Sequence, residues 1–316
     1  MDRKGFIKYM ENRDFAPRTQ EGCLMYVKLF FAWADREDLQ VTKPDILKYL
    51  EHLKNRGLQK ITRKRQLTAL NHYFTFLYRD GRTAGNPCRF IKIRGTNKRT
   101  LYRIYTPEEL DQLFDNYYQL FVRSYDDSRH RHERQKLFSA LSKERNALIL
   151  SILINQGTTT AEINRMQTDD MDPVRATLKI RGGKRLNDRT LPLKATQMGL
   201  LMHYLRETRP RFLEYCATDN GKLFLPLPVV GWKNTKNTGG EMTYTFERLA
   251  SQTGQLDKQF LNFTQIRASV ITSWLKIYGL RKAQYMAGHR NISTTEAFLP
   301  NNLDSLADDI NKLHPF

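Results

Sequence analysis

Residues 288–298 read Gly288-His289-Arg290-Asn291-Ile292-Ser293-Thr294-Thr295-Glu296-Ala297-Phe298, and what surrounds this stretch decides the fold. Upstream, the pattern predicts helices over 264–277 and 280–287, the first opening on Thr264-Gln265-Ile266-Arg267-Ala268. Further back, Leu178–Arg181 and Thr190–Leu193 read as two short strands around the basic tip Gly182–Asp188, a hairpin that carries Lys184. An apolar helix over 147–154 ends at Gly157 and runs into Thr158-Thr159-Thr160-Ala161-Glu162-Ile163. More helices are expected around 195–206 and 243–253. One hairpin among many helices makes the fold class mainly α with a small β-hairpin or sheet, an α+β arrangement.

Tyr105-Thr106-Pro107-Glu108-Glu109-Leu110 opens the domain that holds all of these pieces, expected over 105–316. Thr106 is placed to cap a helix with Pro107 at its first position and Glu109 at its third. Residues 123–136 (RSYDDSRHRHERQK) form a polar insertion. His130 and His132 lie in it without a third ligand nearby, so it reads as a solvated loop and not as a metal site. The domain closes on a short amphipathic helix built on Leu303, Leu306, Ala307, Ile310 and Leu313.

A helical domain is expected over 1–88. One helix runs from Thr19 with Leu24, Val27, Phe31 and Ala34 at helical spacing. A second, capped by Thr42 with Asp45, tolerates Pro44 in its first turn and carries Ile46, Leu47, Leu50 and Leu53. A third begins near Thr62 and keeps Leu67, Leu70, Phe74 and Leu77 on one face. Arg63, Lys64 and Arg65 fill its opening turn, with Lys54, Arg56 and Lys60 in the approach. Such a run is either a solvated face or a phosphate site, since the terminal N–H groups of a helix point the same way. Asp80-Gly81 breaks this helix and Asn86-Pro87 starts a loop. Residues 89–104 read as a basic linker; its stretch Arg89–Arg99 has no apolar period, and Lys92 and Arg94 are placed to track a nucleic-acid backbone.

At 316 residues the chain has room for two domains, and 40% hydrophobic with 27% charged residues excludes disorder as the main state. Lys and Arg total 52 against 33 Asp and Glu, a net charge of +19; residues 1–100 alone carry 22 basic against 10 acidic side chains. A surplus of that size serves a polyanion, because each cation that meets a phosphate releases condensed counterions. Cys23, Cys88 and Cys216 lie far apart with no C-x-x-C, so neither a zinc site nor a disulfide framework is indicated. The N-terminus is too polar for a signal peptide, and no apolar run approaches the ~18 residues of a membrane span. A cytoplasmic, nucleoid-associated protein without a membrane partner is expected.

The order of these pieces resembles the tyrosine recombinase (phage integrase) family over nearly the whole chain. Residues 1–88 are similar to its helical, SAM-like core-binding domain, down to Asn86-Pro87 before the linker. Gly157 through Ile163 stands where the family has G-L-R-x-S-E-L, and Gly183-Lys184 through Arg189-Thr190-Leu191-Pro192-Leu193 matches its hairpin. Thr264-Gln265-Ile266-Arg267-Ala268 replaces H-x-L-R-H, and Gly288-His289 with Ser293 through Phe298 matches G-H-…-S-T-T-x-x-Y. The resemblance implies double-stranded DNA as partner and no metal or cofactor. In the family's reaction a tyrosine attacks a DNA phosphodiester. Two arginines clamp the phosphate oxygens. A hairpin lysine protonates the departing oxygen, and histidines position the phosphate.

Mapped residue by residue, the chain keeps Lys184, Arg267 and His289 and departs at three positions. Thr159 stands for the first arginine, Thr264 for the first histidine and Phe298 for the tyrosine nucleophile. No tyrosine follows Tyr285, and Arg165 is nearly two helical turns from Thr159. The resemblance therefore implies a recombinase fold unable to cleave DNA alone, an accessory or regulatory subunit in recombination or integration of a mobile element. Its C-terminal helix would either dock on another recombinase subunit or a second copy, or pack on its own domain. Two alternatives stay open: an active recombinase, its nucleophile supplied by a partner or changed from Tyr to Phe by engineering, and a basic DNA-binding scaffold or regulator unrelated to recombination.

Overall fold

The computed structural model describes residues 1–34, 40–95, 102–124, 132–215, 219–226 and 240–299. His130, Cys216 and the amphipathic segment expected over 303–313 fall outside them. The chain divides into two compact units, Met1–Thr100 and Leu101–Phe316.

The first unit holds α1 (Arg3–Glu11), α2 (Pro17–Ala34), α3 (Lys43–Asn55) and α4 (Lys60–Arg79). Its core is largely aromatic: Phe30 meets Tyr49 edge to face at 5.0 Å, and Phe6 meets Tyr73 at 5.1 Å. Rings of this size contribute about 1.5–3 kcal/mol each when buried. On α4, Leu67, Leu70, Phe74 and Leu77 are all buried. On α2 the buried line is Cys23, Val27 and Phe30, while Leu24, Phe31 and Ala34 pack at its edge. The apolar stripe of α2 is wider than the sequence period suggested because the helix packs against both α3 and α4. Asp45 accepts from the Thr42 N–H at 2.9 Å and the Thr42 hydroxyl at 2.7 Å, fixing the start of α3.

The segment after α4 packs back on the first unit. Cys88 is buried, and Ile91 and Ile93 pack against the core of this unit. Two isoleucines two residues apart are too short a pattern to register as a period, yet they tie residues 88–94 to the helices.

The second unit starts with α5 (Pro107–Tyr117), where Thr106 and Glu109 form a capping box with Pro107 in the first turn. It continues through a π-turn, Tyr118–Arg123, to α6 (Glu133–Gln156). The helix α6 is far longer than the apolar run over 147–154, and its first turn takes up the end of the polar insertion. Its middle hides Arg145 and Asn146, which are satisfied internally. The Arg145 guanidinium, fully buried, donates to the Leu225 carbonyl at 2.7 Å and to the Asn146 amide oxygen. After α7 (Thr160–Ile163) come β1 (Met171–Asp172), β2 (Thr177–Ile180) and β3 (Arg189–Pro192) in one antiparallel sheet, with Leu178 opposite Leu191 and Ile180 opposite Arg189. The strand β1 was not foreseen; two residues carry no alternation to read. The segment α8 (Ala195–His203) passes through a second π-turn into α9 (Arg209–Leu213). Then follow α10 (Gly240–Leu256), α11 (Phe263–Ala287) and α12 (Ile292–Glu296). At Gly279, with φ +74°, α11 breaks into the two expected helices.

Candidate active site

The site forms where α7, β3 and α11 converge on one carboxylate, with the turn before α12 joined to it through Arg267. Thr159 caps α7: its hydroxyl accepts from the Glu162 N–H at 3.2 Å. In return, Glu162 Oε2 accepts from the Thr159 N–H at 2.8 Å and the Thr159 hydroxyl at 2.9 Å. Glu162 is wholly buried, and its other oxygen accepts from Arg189 Nη1 at 2.5 Å. Arg267 Nη1 lies 3.7 Å from Oε2. Burial pushes the Glu162 carboxyl up, but the hydrogen bond and charge of Arg189 and the charge of Arg267 outweigh it and hold the group below the usual carboxylate range.

Arg267 ties together the ends of two helices. It donates to the Gly157 carbonyl, at the end of α6, and to the Ala287 carbonyl, the last of α11, at 2.8 Å. Both acceptors belong to helix C-termini, whose carbonyls are unsatisfied and partly negative. Burial lowers the Arg267 pKa to about 10, so the guanidinium is still a cation at neutral pH. Gly288 follows α11 with φ +71°, and a Cβ there would stand 2.6 Å from Arg189 Nη1 and 3.0 Å from the Asn187 carbonyl oxygen. Only glycine fits both the backbone and the space.

His289 Nε2 lies 3.2 Å from Arg267 Nη2, and Nδ1 lies 2.9 Å from the Thr295 hydroxyl. Arginine only donates, so Nε2 is the acceptor and Nδ1 carries the proton, donated to Thr295. Burial, with the charges of Arg267 and Arg189, pushes the imidazole down to about 4 against a smaller opposing effect of Glu162. His289 is therefore neutral at pH 7. By NMR its ring protons are expected to titrate near pH 4, well below an ordinary histidine near 6.5; titration above pH 6 would contradict this arrangement. The half-buried Phe298 ring lies nearly parallel to the imidazole, with centroids 5.8 Å apart and planes at 12°.

The cluster carries more positive than negative charge: two guanidinium groups, one carboxylate and a neutral imidazole. Arg189 is buried, and its Nε and Nη2 have no hydrogen-bond partner among the described residues. Lys184 is exposed on the turn Gly183–Leu186, which is held to residues 288–290 by Asn187 N–H to the Gly288 carbonyl at 2.8 Å and Arg290 to the Gly183 carbonyl at 3.2 Å. Thr264 is exposed on the first turn of α11, one turn before Arg267. Arg165 reaches the hairpin, 3.5 Å from the Arg181 carbonyl, and does not stand in for Thr159.

The structure thus brings Thr159, Arg267, His289, Phe298 and the turn bearing Lys184 into one region. Sequence reasoning did not single out Glu162, Arg189 or Thr295 as site residues. The signal for Glu162 is the Thr159-x-x-Glu162 capping box. For Arg189 it is a charged residue at an inward strand position. In the first unit, Lys60, Thr62, Arg63, Lys64 and Arg65 all lie in the first two turns of α4, and Lys92 and Arg94 are exposed beyond it. The Lys60 ammonium lies 3.6 Å from where a Cβ on Gly95 would stand, so the start of α4 and the end of the basic segment are neighbours.

The phage integrase family matches residues 130–303, and the phage integrase N-terminal SAM-like domain matches residues 3–82. The chain belongs to the phage integrase family. Among curated relatives, tyrosine recombinase XerC of Oceanobacillus iheyensis is 24% identical, over 98% of this chain and 94% of the relative. Tyrosine recombinase XerA of Thermococcus kodakarensis is 22% identical, over 95% of this chain and 91% of the relative. Among solved structures, XerH site-specific recombinase bound to palindromic difH superposes with a TM-score of 0.62 at 19% identity, covering 92% of this chain and 77% of that one. A lambda integrase dimer bound to a core site gives 0.58 at 13% identity, covering 93% and 76%. These likenesses establish that this integrase-family chain has the recombinase fold. No helix among the described residues is long and apolar enough to cross a membrane.

Proposed function

We propose that this member of the phage integrase family grips double-stranded DNA by its phosphates and does not cleave it unaided. It would then serve site-specific recombination or integration of a mobile element as an accessory or regulatory subunit. The observation that carries the reading is the Phe298 ring stacked on His289 beside Arg267: an aromatic side chain at the position the family gives to its nucleophile, without an oxygen. The nearby hydroxyls offer no replacement. Thr159 is engaged by Glu162 and Thr295 by His289, and Ser293 and Thr294 are exposed in the opening turn of α12.

Phosphate binding is supported by the surplus charge of the cluster. A non-bridging phosphate oxygen would meet Arg267 and the exposed Lys184 while the neutral His289 offers no repulsion. No metal or cofactor is needed to hold a phosphate on guanidinium groups. The protein partner proposed is a second copy or another recombinase subunit; of these, only an active recombinase carries the nucleophile that this chain lacks.

Binding to duplex DNA should be strongly salt-dependent. If about 6–10 phosphates are contacted, affinity falls roughly 10³–10⁵-fold between 50 and 200 mM salt. An electrophoretic mobility-shift series over that range checks this, and comparing an inverted-repeat duplex with a scrambled one separates a recombinase relative from a general scaffold. Salt-independent or absent binding contradicts the reading; equal affinity for both duplexes favours the scaffold.

A further inference from the structure

Phe90 is 77% exposed and has φ +66°, a left-handed backbone that a bulky side chain seldom adopts. Neither feature is offset by burial of the ring. The Arg89 guanidinium lies over the ring, 4.8 Å from its centroid. The mount is firm: Cys88 is buried on one side, and Ile91 and Ile93 pack into the core of the first unit on the other. Lys92 and Arg94, between and after those isoleucines, are exposed. The result is an outward row of three cations with one aromatic ring among them, fixed to a folded unit and ending beside Lys60.

We propose that Phe90, braced by Arg89, is an apolar contact to duplex DNA, its ring set against sugar and base edges in the minor groove while Arg89, Lys92 and Arg94 take the flanking phosphates. The inference rests on the DNA-binding reading above and adds a contact that the retained pocket does not provide. Cations alone satisfy phosphates. A ring held out among them against its backbone preference gains only from a partner that also presents an apolar face, and a groove of duplex DNA presents both. The cation over the ring adds to its stacking ability.

The test compares the full chain with Phe90→Gly and Lys92→Ala on one mixed-sequence duplex carrying a fluorescent adenine analogue. Glycine relieves the left-handed strain, so Phe90→Gly should melt at the same temperature as the parent or higher. It should nevertheless bind about tenfold more weakly at every salt concentration and lose the fluorescence change. The slope of log affinity against log salt stays unchanged, because no phosphate contact is removed. Lys92→Ala instead lowers that slope by about one. Phe90→Trp keeps parental affinity. Parental binding by Phe90→Gly, or a clear drop in its melting temperature, overturns the proposal while leaving the DNA-binding reading intact. Failure of the parent chain to bind duplex at all overturns both.

Discussion

Replacing Glu162 with alanine should destabilise the second unit by about 3–5 kcal/mol, the usual cost of removing one partner from a buried ion pair. Glu162 and Arg189 both have fully buried side chains, and Arg267 shares the same carboxylate. Without it, two guanidinium groups stay in the interior with no counter-charge, and Thr159 loses the reciprocal half of its cap. Urea unfolding of the full chain, followed by hydrogen exchange at the amides of α11, reads the loss in the correct unit. A change under about 1 kcal/mol would show that the carboxylate does not organise the site. The pH dependence follows the same logic. Glu162 is held below its unfolded value, so its contribution is complete above about pH 4.3 and fades as the pH falls through its folded value. His289 is neutral when folded and ordinary when unfolded, so stability also declines as the pH falls from about 6.5 towards 4. Glu162→Gln should abolish the lower of these two acid steps.

The second large effect is a gain. The double variant Phe298→Tyr with Thr159→Arg is expected to form a covalent adduct with a nicked duplex, whereas Thr159→Arg alone forms none. Phe298→Tyr alone supplies an attacking oxygen but lacks one of the two arginine clamps. That absence costs on the order of 3 kcal/mol in the transition state, or about a hundredfold in rate. Thr159→Arg also removes the cap of α7, at about 1 kcal/mol of stability, which the unit can tolerate while the Glu162–Arg189 pair stands. Denaturing electrophoresis over time measures all three. If the double variant still shifts duplex DNA but forms no adduct, then Lys184, Arg267 and His289 are not a competent remnant of the family's pocket.

Much of this arrangement was legible in the sequence, for physical reasons that differ by element. The helix α4 shows a clean apolar face in Leu67, Leu70, Phe74 and Leu77, and the capping boxes at Thr42 and Thr106 mark their helix starts. The hairpin was readable from its two strands and polar tip. The length of α6 was hidden because Arg145 and Asn146 are polar in sequence yet satisfied in the interior. The packing of residues 88–94 was hidden because Ile91 and Ile93 are surrounded by cations. Within the site, Arg267, His289 and Phe298 were singled out through the resemblance to the tyrosine recombinase family's motifs. The central role of Glu162 was not, since nothing local shows that Arg189 and Arg267, 27 and 105 residues further on, end on its oxygens.

The most direct test of the central claim is to incubate the unaltered chain with a nicked duplex that traps a cleaved strand, and to run the products on both native and denaturing gels. A retarded complex on the native gel that weakens steeply with salt, with no protein-linked DNA on the denaturing gel, is the predicted result. Protein that stays attached to the DNA under denaturing conditions would contradict it.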